Sequence, residues 1–340
     1  MIKVAIINNT RNHSHFGCSL VMDNLELLLA KYGFTVAWSW PVHKDWRLHK
    51  KEMLGLPKVD VVIVNGEGTI NNSHRKKYAQ ALAEFAGFAK DHISKYCYLI
   101  NATLFNNTAD AYQQLQFYRS VYVRDQASLA ELKKNGCDGR WVPDLTFYGA
   151  TDFYEREKPV KSVCVTDNTL RPIAKRLKNY AQKKGFTYVT MSLAHPRNKP
   201  FWKSPRTFVK NTWNWYFRDR HRSSQPQAYI DFLQQFELVI TGRFHTVTMC
   251  LKHRIPFIAI ASNTPKIDHL LEDVFGQKDR SVSIQEVESD SLSEDYSFSA
   301  IELEKISEFL SDTQRKIDSV FSSIKVDYQQ TKAGQDFDYL

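Results

Sequence analysis

The chain has 340 residues, 43% of them hydrophobic, and a formal net charge of +9. The apolar share is typical of a globular protein, and the length exceeds one ordinary core, so we expect two domains. No run of 18 consecutive apolar residues occurs, which argues against a spanning helix. The start, MIKVAIINNT, predicts a first strand rather than a signal peptide.

The charge and the cysteines narrow the functional classes. A positive excess favours anionic partners such as a phosphorylated substrate, a nucleotide or an anionic membrane face. No RNA-binding, zinc-finger or helix-turn-helix signature supports nucleic acid. The five cysteines form no CxxC pair, so we expect reduced thiols, a cytoplasmic location and no zinc site.

In chain order, short β-rich runs alternate with helical patterns. The first half predicts strands at 2–8, 59–64, 96–101, 120–125 and 140–147 and helices at 18–32, 75–93, 108–117 and 126–136. After a charged linker at 154–161, the second half predicts strands at 162–166, 188–193, 238–242 and 256–260 and helices at 169–185, 226–236, 244–254, 266–274 and about 298–325.

These predicted strands are continuous apolar runs, which favours buried parallel sheets. Two successive βα alternations predict an α/β fold with two doubly wound Rossmann-like domains facing a cleft. We expect an amino-terminal domain at 1–153, a carboxy-terminal domain at 154–325 and a polar tail at 326–340. In such domains ligands bind beyond the carboxyl ends of the strands.

The segment VITGRFHTVT (239–248) places charged groups where an apolar strand ends and a helix begins. Gly242, Arg243 and His245 occupy this junction, where free backbone N–H groups and the helix dipole favour an anion. Arg243 offers a forked donor for phosphate or carboxylate, and His245 can donate a proton near neutral pH. The alternative is an arginine that bridges two strands and a histidine bound to a carbonyl.

The next predicted βα unit repeats this arrangement in the segment SNTPK. Ser262, Asn263 and Thr264 precede Pro265, which is expected to be the first residue of a helix. Lys266 then lies in the first turn, where the helix dipole disfavours a cation unless an anion is bound. An ordinary capping loop with a solvated lysine is the alternative.

Two loops of the first half are expected on the acceptor side of the cleft. Residues 8–19 contain His13, His15 and Gly17, and no third metal ligand is evident beside the two histidines. In NGEGTINNS (65–73), Gly66 and Gly68 allow close backbone approach, and Glu67 is a candidate general base for a sugar hydroxyl.

Three further polar residues follow strands of the first half. Asp125 is expected to cap the next helix, while Arg124 is assigned to the acceptor side. Asp144 is open between a structural and a catalytic role, and it is included among the candidate catalytic residues.

The segment 195–222 is an insert with eight Lys or Arg residues, one acid and seven aromatic residues. Ser204 and Pro205 predict a helix start, and aromatic residues then fall near one helical face. Tryptophan and tyrosine with basic neighbours suit contact with membrane headgroups through residues 201–217. The alternative is an aromatic face packed on the core, and a nucleic-acid platform is disfavoured because one helix makes no groove.

Taken together, these pieces resemble the polysaccharide pyruvyl transferase family. The resemblance is carried by HFGCSLVMDNLELLL, VIVNGEGTI, VRDQASLAEL, VPDLTF, LVITGRFHTVTMCLKHRIPFIAI and SNTPK, in this order over most of residues 1–275. It implies a two-domain GT-B-like fold and transfer of a pyruvyl group from phosphoenolpyruvate to a sugar as a ketal.

The resemblance also assigns roles to residues. Arg243 and Lys266 would bind the donor's phosphate and carboxylate, and His245 would protonate its methylene carbon. No cofactor or metal is implied. We expect a lipid-linked oligosaccharide as the acceptor and a cytoplasmic enzyme in peripheral contact with the inner face of the membrane. The family's amino-terminal loop usually has an acid where Cys18 stands here.

Two alternatives remain open. A glycosyltransferase on the same scaffold would use a nucleotide-activated sugar, whose phosphates need the same cations at the same helix starts. A non-catalytic glycan-binding protein is the third hypothesis. We expect an enzyme of surface-polysaccharide assembly, such as that of a capsule or an exopolysaccharide.

Overall fold

The computed structural model describes residues 1–11, 14–149, 159–196, 201–262, 264–289 and 296–337, with side chains to residue 332. The chain divides into two compact units. Unit 1 contains Met1–Thr10, Met22–Gly149 and Phe309–Leu340, and unit 2 contains Arg11–Val21 and Ala150–Glu308.

Unit 1 contains a six-stranded sheet. Its strands are β1 (Ile2–Asn9), β2 (Phe34–Pro41), β3 (Val61–Glu67), β4 (Cys97–Ala102), β5 (Ser120–Val123) and β6 (Arg140–Trp141), in the order β2-β1-β3-β4-β5-β6. The helices in this part of the sequence are α1 (Phe16–Lys31), α2 (Lys50–Leu54), α3 (Lys77–His92), α4 (Ala109–Leu115) and α5 (Gln126–Lys134). Every strand pair is parallel.

Unit 2 contains a five-stranded parallel sheet. Its strands are β7 (Lys161–Asn168), β8 (Thr187–Val189), β9 (Phe236–Gly242), β10 (Phe257–Ile260) and β11 (Ser281–Val282), in the order β11-β10-β9-β7-β8. The helices in this part of the sequence are α6 (Arg171–Lys184), α7 (Pro205–Asn214), α8 (Pro226–Gln234), α9 (Phe244–Lys252), α10 (Lys266–Phe275), α11 (Ile284–Glu288) and α12 (Ala300–Phe337). From Phe309 onward α12 belongs to unit 1.

The predicted α/β class with two parallel sheets is confirmed. Each residue of β3 and β4 is buried, as expected for central strands covered on both faces. Val62, Val64 and Leu99 pack with Phe85 of α3 in the core of unit 1. Val165, Ile240 and Ile258 do the same for unit 2. In the part of the chain that the structure describes, no helix is long and apolar enough to cross a membrane.

Each sheet changes winding direction between its first and third strands in chain order. In unit 1 this point lies between β1 and β3, and in unit 2 between β7 and β9. The loops at the carboxyl ends of such neighbouring strands diverge and leave a crevice, where ligands of doubly wound sheets bind. The fold therefore indicates two places to look for a site.

Several expected boundaries differ from the structure. The sequence interpretation missed β2, an edge strand whose outward residues are largely exposed. The expected strand 140–147 is only two residues long, because Pro143 lacks an N–H and Asp144 begins a short 3-10 turn at Leu145–Phe147. Pro265 is the N-cap of α10 rather than its first helical residue.

The expected polar tail at 326–340 is also wrong in its first part, because α12 continues to Phe337. Apolar side chains recur at helical spacing up to Tyr328, which is buried. The segment 309–340 belongs to unit 1, whereas the sequence interpretation put 309–325 in the carboxy-terminal domain. Residues 11–21 belong to unit 2.

Two smaller expectations of local structure, at Asp125 and at Ser204–Pro205, are confirmed, and the predicted helix 126–136 ends two residues earlier, at Lys134. The Asp125 side chain accepts a hydrogen bond from Ser128 N and caps α5. Gly136 follows the end of α5 with φ +68°, a left-handed conformation that glycine adopts without strain. Ser204 is the N-cap of α7, with Pro205 as its first residue.

Candidate functional site

The candidate site of unit 2 is built on the carboxyl ends of β7, β9 and β10. Asn168 pairs with Gly242 where β7 and β9 end. The Asn168 Nδ2 donates to the Ala261 carbonyl at 3.0 Å, which ties β7 to the loop after β10. Thr169 and Ser262 hydroxyls lie 2.7 Å apart across the same edge. These bonds fix the loops that carry the charged residues.

Gly242 is required here by its neighbour. A Cβ atom at this position would overlap the amide and Cβ of Asn168. The missing side chain therefore permits the close approach of β7 and β9 at their ends, and this places residue 243 at the start of α9.

Arg243 forms an ion pair with Asp167, a residue that the sequence interpretation did not include. The Arg243 Nε donates to Asp167 Oδ1 at 3.0 Å, and Nη2 donates to Oδ2. Burial opposes the charge on the guanidinium, but the bonds to Asp167 outweigh it and raise the pKa of Arg243. Because the guanidinium has five N–H donors, these two bonds leave it further donors for an anion.

His245 lies in the first turn of α9 and is buried against Gly17. A Cβ on Gly17 would overlap the Cβ, Cγ and Nδ1 of His245. The ring of His15 meets the ring of His245 edge to face, with centroids 5.9 Å apart. His15 and Gly17, expected on the acceptor side, therefore lie beside the predicted donor-binding residues.

Backbone bonds hold the segment around His15 in place. Leu193 N donates to the Ser14 carbonyl at 2.6 Å, and Phe16 N donates to the Met191 carbonyl at 3.4 Å. His15 forms an antiparallel bridge with Ser192 between these two bonds. The segment after β1 is thus attached to the loop after β8, which sequence alone did not indicate.

The charges around His15 make this corner of the site electropositive. Burial and the charges of Arg243 and Lys266 together lower the pKa of His15 to about 4, and the charge of Asp167 opposes them. Lys266 is the first residue of α10, and its Nζ lies 5.8 Å from the centroid of the Phe244 ring. Two cations and the amino ends of α9 and α10 favour an anion at this place.

Three side chains of this cluster are of types that bind metal ions. The donor atoms of His15, Cys18 and His245 lie within 4.8 Å of one another. The Cys18 N–H donates to His15 Nδ1 at 3.2 Å. A cation would stand against Lys266 and two helix amino ends, so the electrostatics favour an anion over a metal.

The structure describes some of the remaining predicted site residues. Ser262 is half-buried and Thr264 is buried, both between β10 and α10. Asn263 and His13 lie outside the described residues.

In unit 1, Glu67 lies at the corresponding place, where β3 ends beside β1. It is 4% exposed and has a φ of +38°, an unusual conformation for a residue with a side chain. Thr10 Oγ1 and Asn65 Nδ2 both donate to Glu67 Oε1, the latter at 3.0 Å. Burial raises the pKa of Glu67 despite these bonds.

The two glycines beside Glu67 differ. A Cβ on Gly66 would lie 2.7 Å from Ala102 Cα, so Gly66 is required by the close packing of β3 and β4. Gly68 is exposed, and its carbonyl accepts from Asn71 Nδ2 at 2.6 Å. The backbone at Gly66 thus approaches a neighbouring strand closely, whereas the sequence interpretation expected it to approach a ligand.

Arg124 and Asp144 form a buried ion pair in unit 1. Arg124 Nη1 donates to Asp144 Oδ2 at 2.6 Å, and Nε donates to Thr103 Oγ1 at 2.6 Å. Asp144 Oδ1 accepts from Thr146 N at 2.9 Å and caps a 3-10 turn. Both side chains are almost fully buried, a geometry that favours a structural role.

The family model described as polysaccharide pyruvyl transferase matches residues 15–264. No curated protein sequence matches the chain. A UDP-GlcNAc 2-epimerase of Methanocaldococcus jannaschii, in complex with UDP-GlcNAc and UDP, has a TM-score of 0.51 at 10% identity over 92% of this chain and 100% of that chain.

Two further solved structures are similar at TM-scores below that of the epimerase. An uncharacterised protein of Klebsiella pneumoniae has a TM-score of 0.47 at 12% identity, covering 83% of this chain and 92% of its own. An α-glucosyltransferase in complex with UDP and DNA has a TM-score of 0.45 at 12% identity, covering 95% and 99%.

The family match and the site geometry concern the same residues. The matched span includes His15, Gly17, Arg243 and His245 and ends just before Lys266. The likeness to the epimerase concerns the fold alone and agrees with two doubly wound sheets. Because the family model matches most of its length, the chain belongs to the polysaccharide pyruvyl transferase family.

Proposed function

We propose that the protein transfers the pyruvyl group of phosphoenolpyruvate to two hydroxyls of a sugar, as a ketal, and that unit 2 binds the donor. The observation that carries the proposal is the cluster of Arg243, Lys266 and His245 at the carboxyl ends of β9 and β10, within the family to which the chain belongs. Family membership makes the protein a transferase.

The donor's chemistry matches the cluster. Phosphoenolpyruvate carries a phosphate and a carboxylate on one small carbon skeleton. Arg243 supplies forked donors to one anionic group, and Lys266 with the amino end of α10 supplies a second cationic place. Asp167 orients the guanidinium through Nε and Nη2.

In the proposed reaction, an imidazole N–H of His245 donates its proton to the methylene carbon of phosphoenolpyruvate. The adjacent carbon gains oxocarbenium character and forms a bond to a sugar hydroxyl oxygen. Phosphate leaves with its bonding electrons, and a second hydroxyl of the same sugar closes the ketal. Each hydroxyl loses its proton to a base, so the sum is ketal and inorganic phosphate.

Glu67 is the proposed base for the sugar hydroxyl. The raised pKa that burial gives this carboxyl makes its ionised form a stronger base than a solvated glutamate. Asp144 is less suited, because Arg124 and Thr146 bind its two oxygens. Glu67→Gln should lower turnover more than it lowers donor affinity. Turnover near that of the wild type would mean that another residue is the base.

A ligand screen and two variants test the function. Phosphoenolpyruvate should raise the melting temperature of the wild type, and incubation with a sugar acceptor should release phosphate. Arg243→Ala and His245→Ala should keep the far-UV circular dichroism and abolish phosphate release, whereas His74→Ala, an exposed histidine of unit 1, should change neither.

Stabilisation by UDP or CMP compounds without any by phosphoenolpyruvate would instead favour a glycosyltransferase. Stabilisation by glycan alone would favour a binding protein. Loss of circular dichroism in step with activity would make Arg243 and His245 structural.

We further propose that α7 and the turn after it contact an anionic membrane and that the acceptor is lipid-linked. No residue of Pro205–Asn214 is buried, so this helix does not pack as a core element. Trp202, Trp213 and Phe217 are 81%, 65% and 63% exposed. Lys and Arg residues of the same segment would attract an anionic leaflet at about 1 kcal/mol each.

Vesicle binding tests this contact. Exchanging both Trp213 and Tyr216 for Ser should weaken sedimentation with vesicles that contain anionic lipid, even at high salt, because salt does not screen ring insertion. Phe117→Ser removes an exposed aromatic ring of unit 1 and should have no effect. Unchanged sedimentation with lost activity on a soluble acceptor would place the segment in the site instead.

A further inference from the structure

A second concave surface of unit 2 lies apart from the donor cluster. It is a pocket of about 340 Å³, near the lower limit of ordinary ligand sites. The residues that decide its character are Phe16, Tyr188, Arg218, Arg222, Tyr229 and Phe232. Arg243, His245 and Lys266 do not line it, so the proposed donor site does not account for it.

Stacked aromatic rings line the pocket. The rings of Phe16 and Tyr229 stack with centroids 4.7 Å apart and planes 10° from parallel. Tyr229 is buried, and its hydroxyl lies 3.3 Å from Thr246 Oγ1 of α9. Phe16 stands between His15 and Gly17, so the same short segment contributes to both the pocket and the donor cluster.

The cationic side of the pocket is held by one buried carboxylate. Asp219 is fully buried and binds Arg218 Nη2 at 2.6 Å and Arg222 Nη1 at 3.1 Å. Ala194 N donates to Asp219 Oδ2 at 2.7 Å. Arg222 Nη2 also donates to the Thr190 carbonyl at 3.0 Å. Two guanidinium groups share one carboxylate, so this side of the pocket carries net positive charge.

The pocket is continuous in sequence with the exposed aromatic segment. Arg218 belongs to the π-helical turn Trp215–Asp219 that directly follows α7. Tyr216 and Phe217 of this turn are 55% and 63% exposed. The insert thus presents aromatic rings to solvent and, within the next few residues, two arginines to an apolar pocket.

We infer that this pocket binds the phosphate-bearing end of an apolar chain, with the chain against Phe16, Tyr229 and Phe232 and the phosphate on Arg218 and Arg222. An apolar chain fits walls made mainly of aromatic carbon, and a phosphate matches forked guanidinium donors. A nucleoside is disfavoured because, besides the two arginines, the lining offers few side-chain partners for the edge of a base, namely the hydroxyls of Tyr188, Thr190 and Ser223. The inference rests on the proposed function only in assigning this lipid as the carrier of the sugar acceptor.

Binding of farnesyl phosphate, below its micelle concentration, tests the inference without turnover. We expect saturable binding by calorimetry, at least about tenfold tighter than that of farnesol or of inorganic phosphate. Tighter binding of UMP would overturn the inference in favour of a nucleotide site. Equal binding of inorganic phosphate would reduce it to an anion site, and no binding of farnesyl phosphate would refute it.

Variants assign the binding to the pocket. Ala228 lines it and is half-buried, so Ala228→Trp should fill it and weaken farnesyl phosphate binding at least about tenfold. Gln227→Trp, exposed on the same helix, is the matched control and should bind like the wild type. Arg218→Gln should lose the preference for farnesyl phosphate over farnesol. Equal binding by Ala228→Trp and wild type would place the ligand elsewhere.

The two proposals can fail separately. Farnesyl phosphate binding without stabilisation by phosphoenolpyruvate would contradict the proposed function and leave the pocket assignment standing. Stabilisation by phosphoenolpyruvate without farnesyl phosphate binding would contradict the pocket assignment and leave the proposed function standing. In Ala228→Trp, the shift in melting temperature caused by phosphoenolpyruvate should equal that of the wild type.

Discussion

Gly17 is the residue whose replacement tests the donor cluster most directly. Any side chain there would overlap the His245 imidazole. We predict that Gly17→Ala displaces this ring and lowers turnover at least about 100-fold, as misplacement of a catalytic group does. The measurement is phosphate release at saturating phosphoenolpyruvate, with circular dichroism to confirm folding.

Gly87→Ala is the control for this prediction. Gly87 lies inside α3, and a Cβ there would meet only Phe117 at an ordinary 3.9 Å. Glycine costs a helix interior about 0.5–1 kcal/mol relative to alanine, so this variant should be active and slightly more stable. Wild-type turnover in Gly17→Ala would mean that His245 moves without consequence and is not the acid.

His15 should respond to the donor through its charge. Burial and the charges of Arg243 and Lys266 hold its pKa at about 4, so the imidazole is neutral at pH 7. A bound anion offsets the two cations, and we predict that phosphoenolpyruvate raises the pKa of His15 by at least about one unit. NMR titration of labelled histidine measures this, with His15→Gln to assign the signal. A pKa that saturating donor leaves unchanged would separate His15 from the donor site.

At the residue scale, sequence patterns found the charges but not their partners. Arg243, His245 and Lys266 were recognisable because they follow apolar strands. Asp167 also ends a strand, but nothing in the sequence shows that its carboxylate faces Arg243. His15 and Gly17 were assigned by chain order to the first half, and only their tertiary contacts put them beside His245.

The last turns of α12 stabilise unit 1 through specific polar contacts. The Tyr328 hydroxyl donates to Asp60 Oδ1 at 2.7 Å, and Asp327 binds Arg119 Nη2 at 2.6 Å. We predict that Tyr328→Phe lowers the free energy of unfolding by about 1 kcal/mol, the usual value of one such hydrogen bond. Urea denaturation measures this. Gln329→Ala, exposed on the same helix, should be neutral, and an equal loss in both variants would contradict a specific contact.

At the element scale, the central strands could be predicted because strands that are buried on both faces appear in the sequence as continuous apolar runs. The edge strand β2 could not, because most of its residues are exposed and its apolar pattern is weak. The end of α12 was missed because, beyond the predicted end near residue 325, Tyr328 is the buried apolar residue among mostly polar neighbours and gives no clear helical spacing. Hydrophobic periodicity therefore predicts an element better when more of its surface is buried by the rest of the protein.

The whole molecule repeats one topology. Taken in chain order, the first five strands of unit 1 and the five strands of unit 2 have the same spatial order. Polar residues stand at the change of winding in both sheets, Thr10 with Glu67 in one and Asp167 with Arg243 in the other. No repeat of fixed period is visible in the sequence, because a sheet order depends on connections rather than on residue identity.

Protonation of partly buried histidines should limit the stability of the molecule in mild acid. Burial, and then the charge of Lys252, lower the pKa of His253 to about 4 from 6.5. Between these values the unfolded chain binds the proton and the folded one does not, so the free energy of unfolding falls as pH drops from 6.5 to 4. His15 shifts in the same direction.

We predict that the free energy of unfolding falls by about 1–2 kcal/mol less in His253→Gln than in the wild type when the pH is lowered from 7 to 5. Urea denaturation at the two pH values provides the comparison. His74→Gln, at an exposed position, should behave like the wild type. Identical losses in all three proteins would show that His253 titrates normally when folded.

Neither unit is a continuous stretch of chain, and this has a consequence for recombination. A crossover at the predicted linker would carry residues 11–21 along with the first half and leave 309–332 with the second. A chimera that exchanges residues 1–153 between two relatives would therefore import a foreign His15 and Gly17 beside the resident His245. We therefore expect that swapping sequence halves does not transfer acceptor preference cleanly. Exchange of one intact unit needs four junctions, after residues 10, 21, 149 and 308.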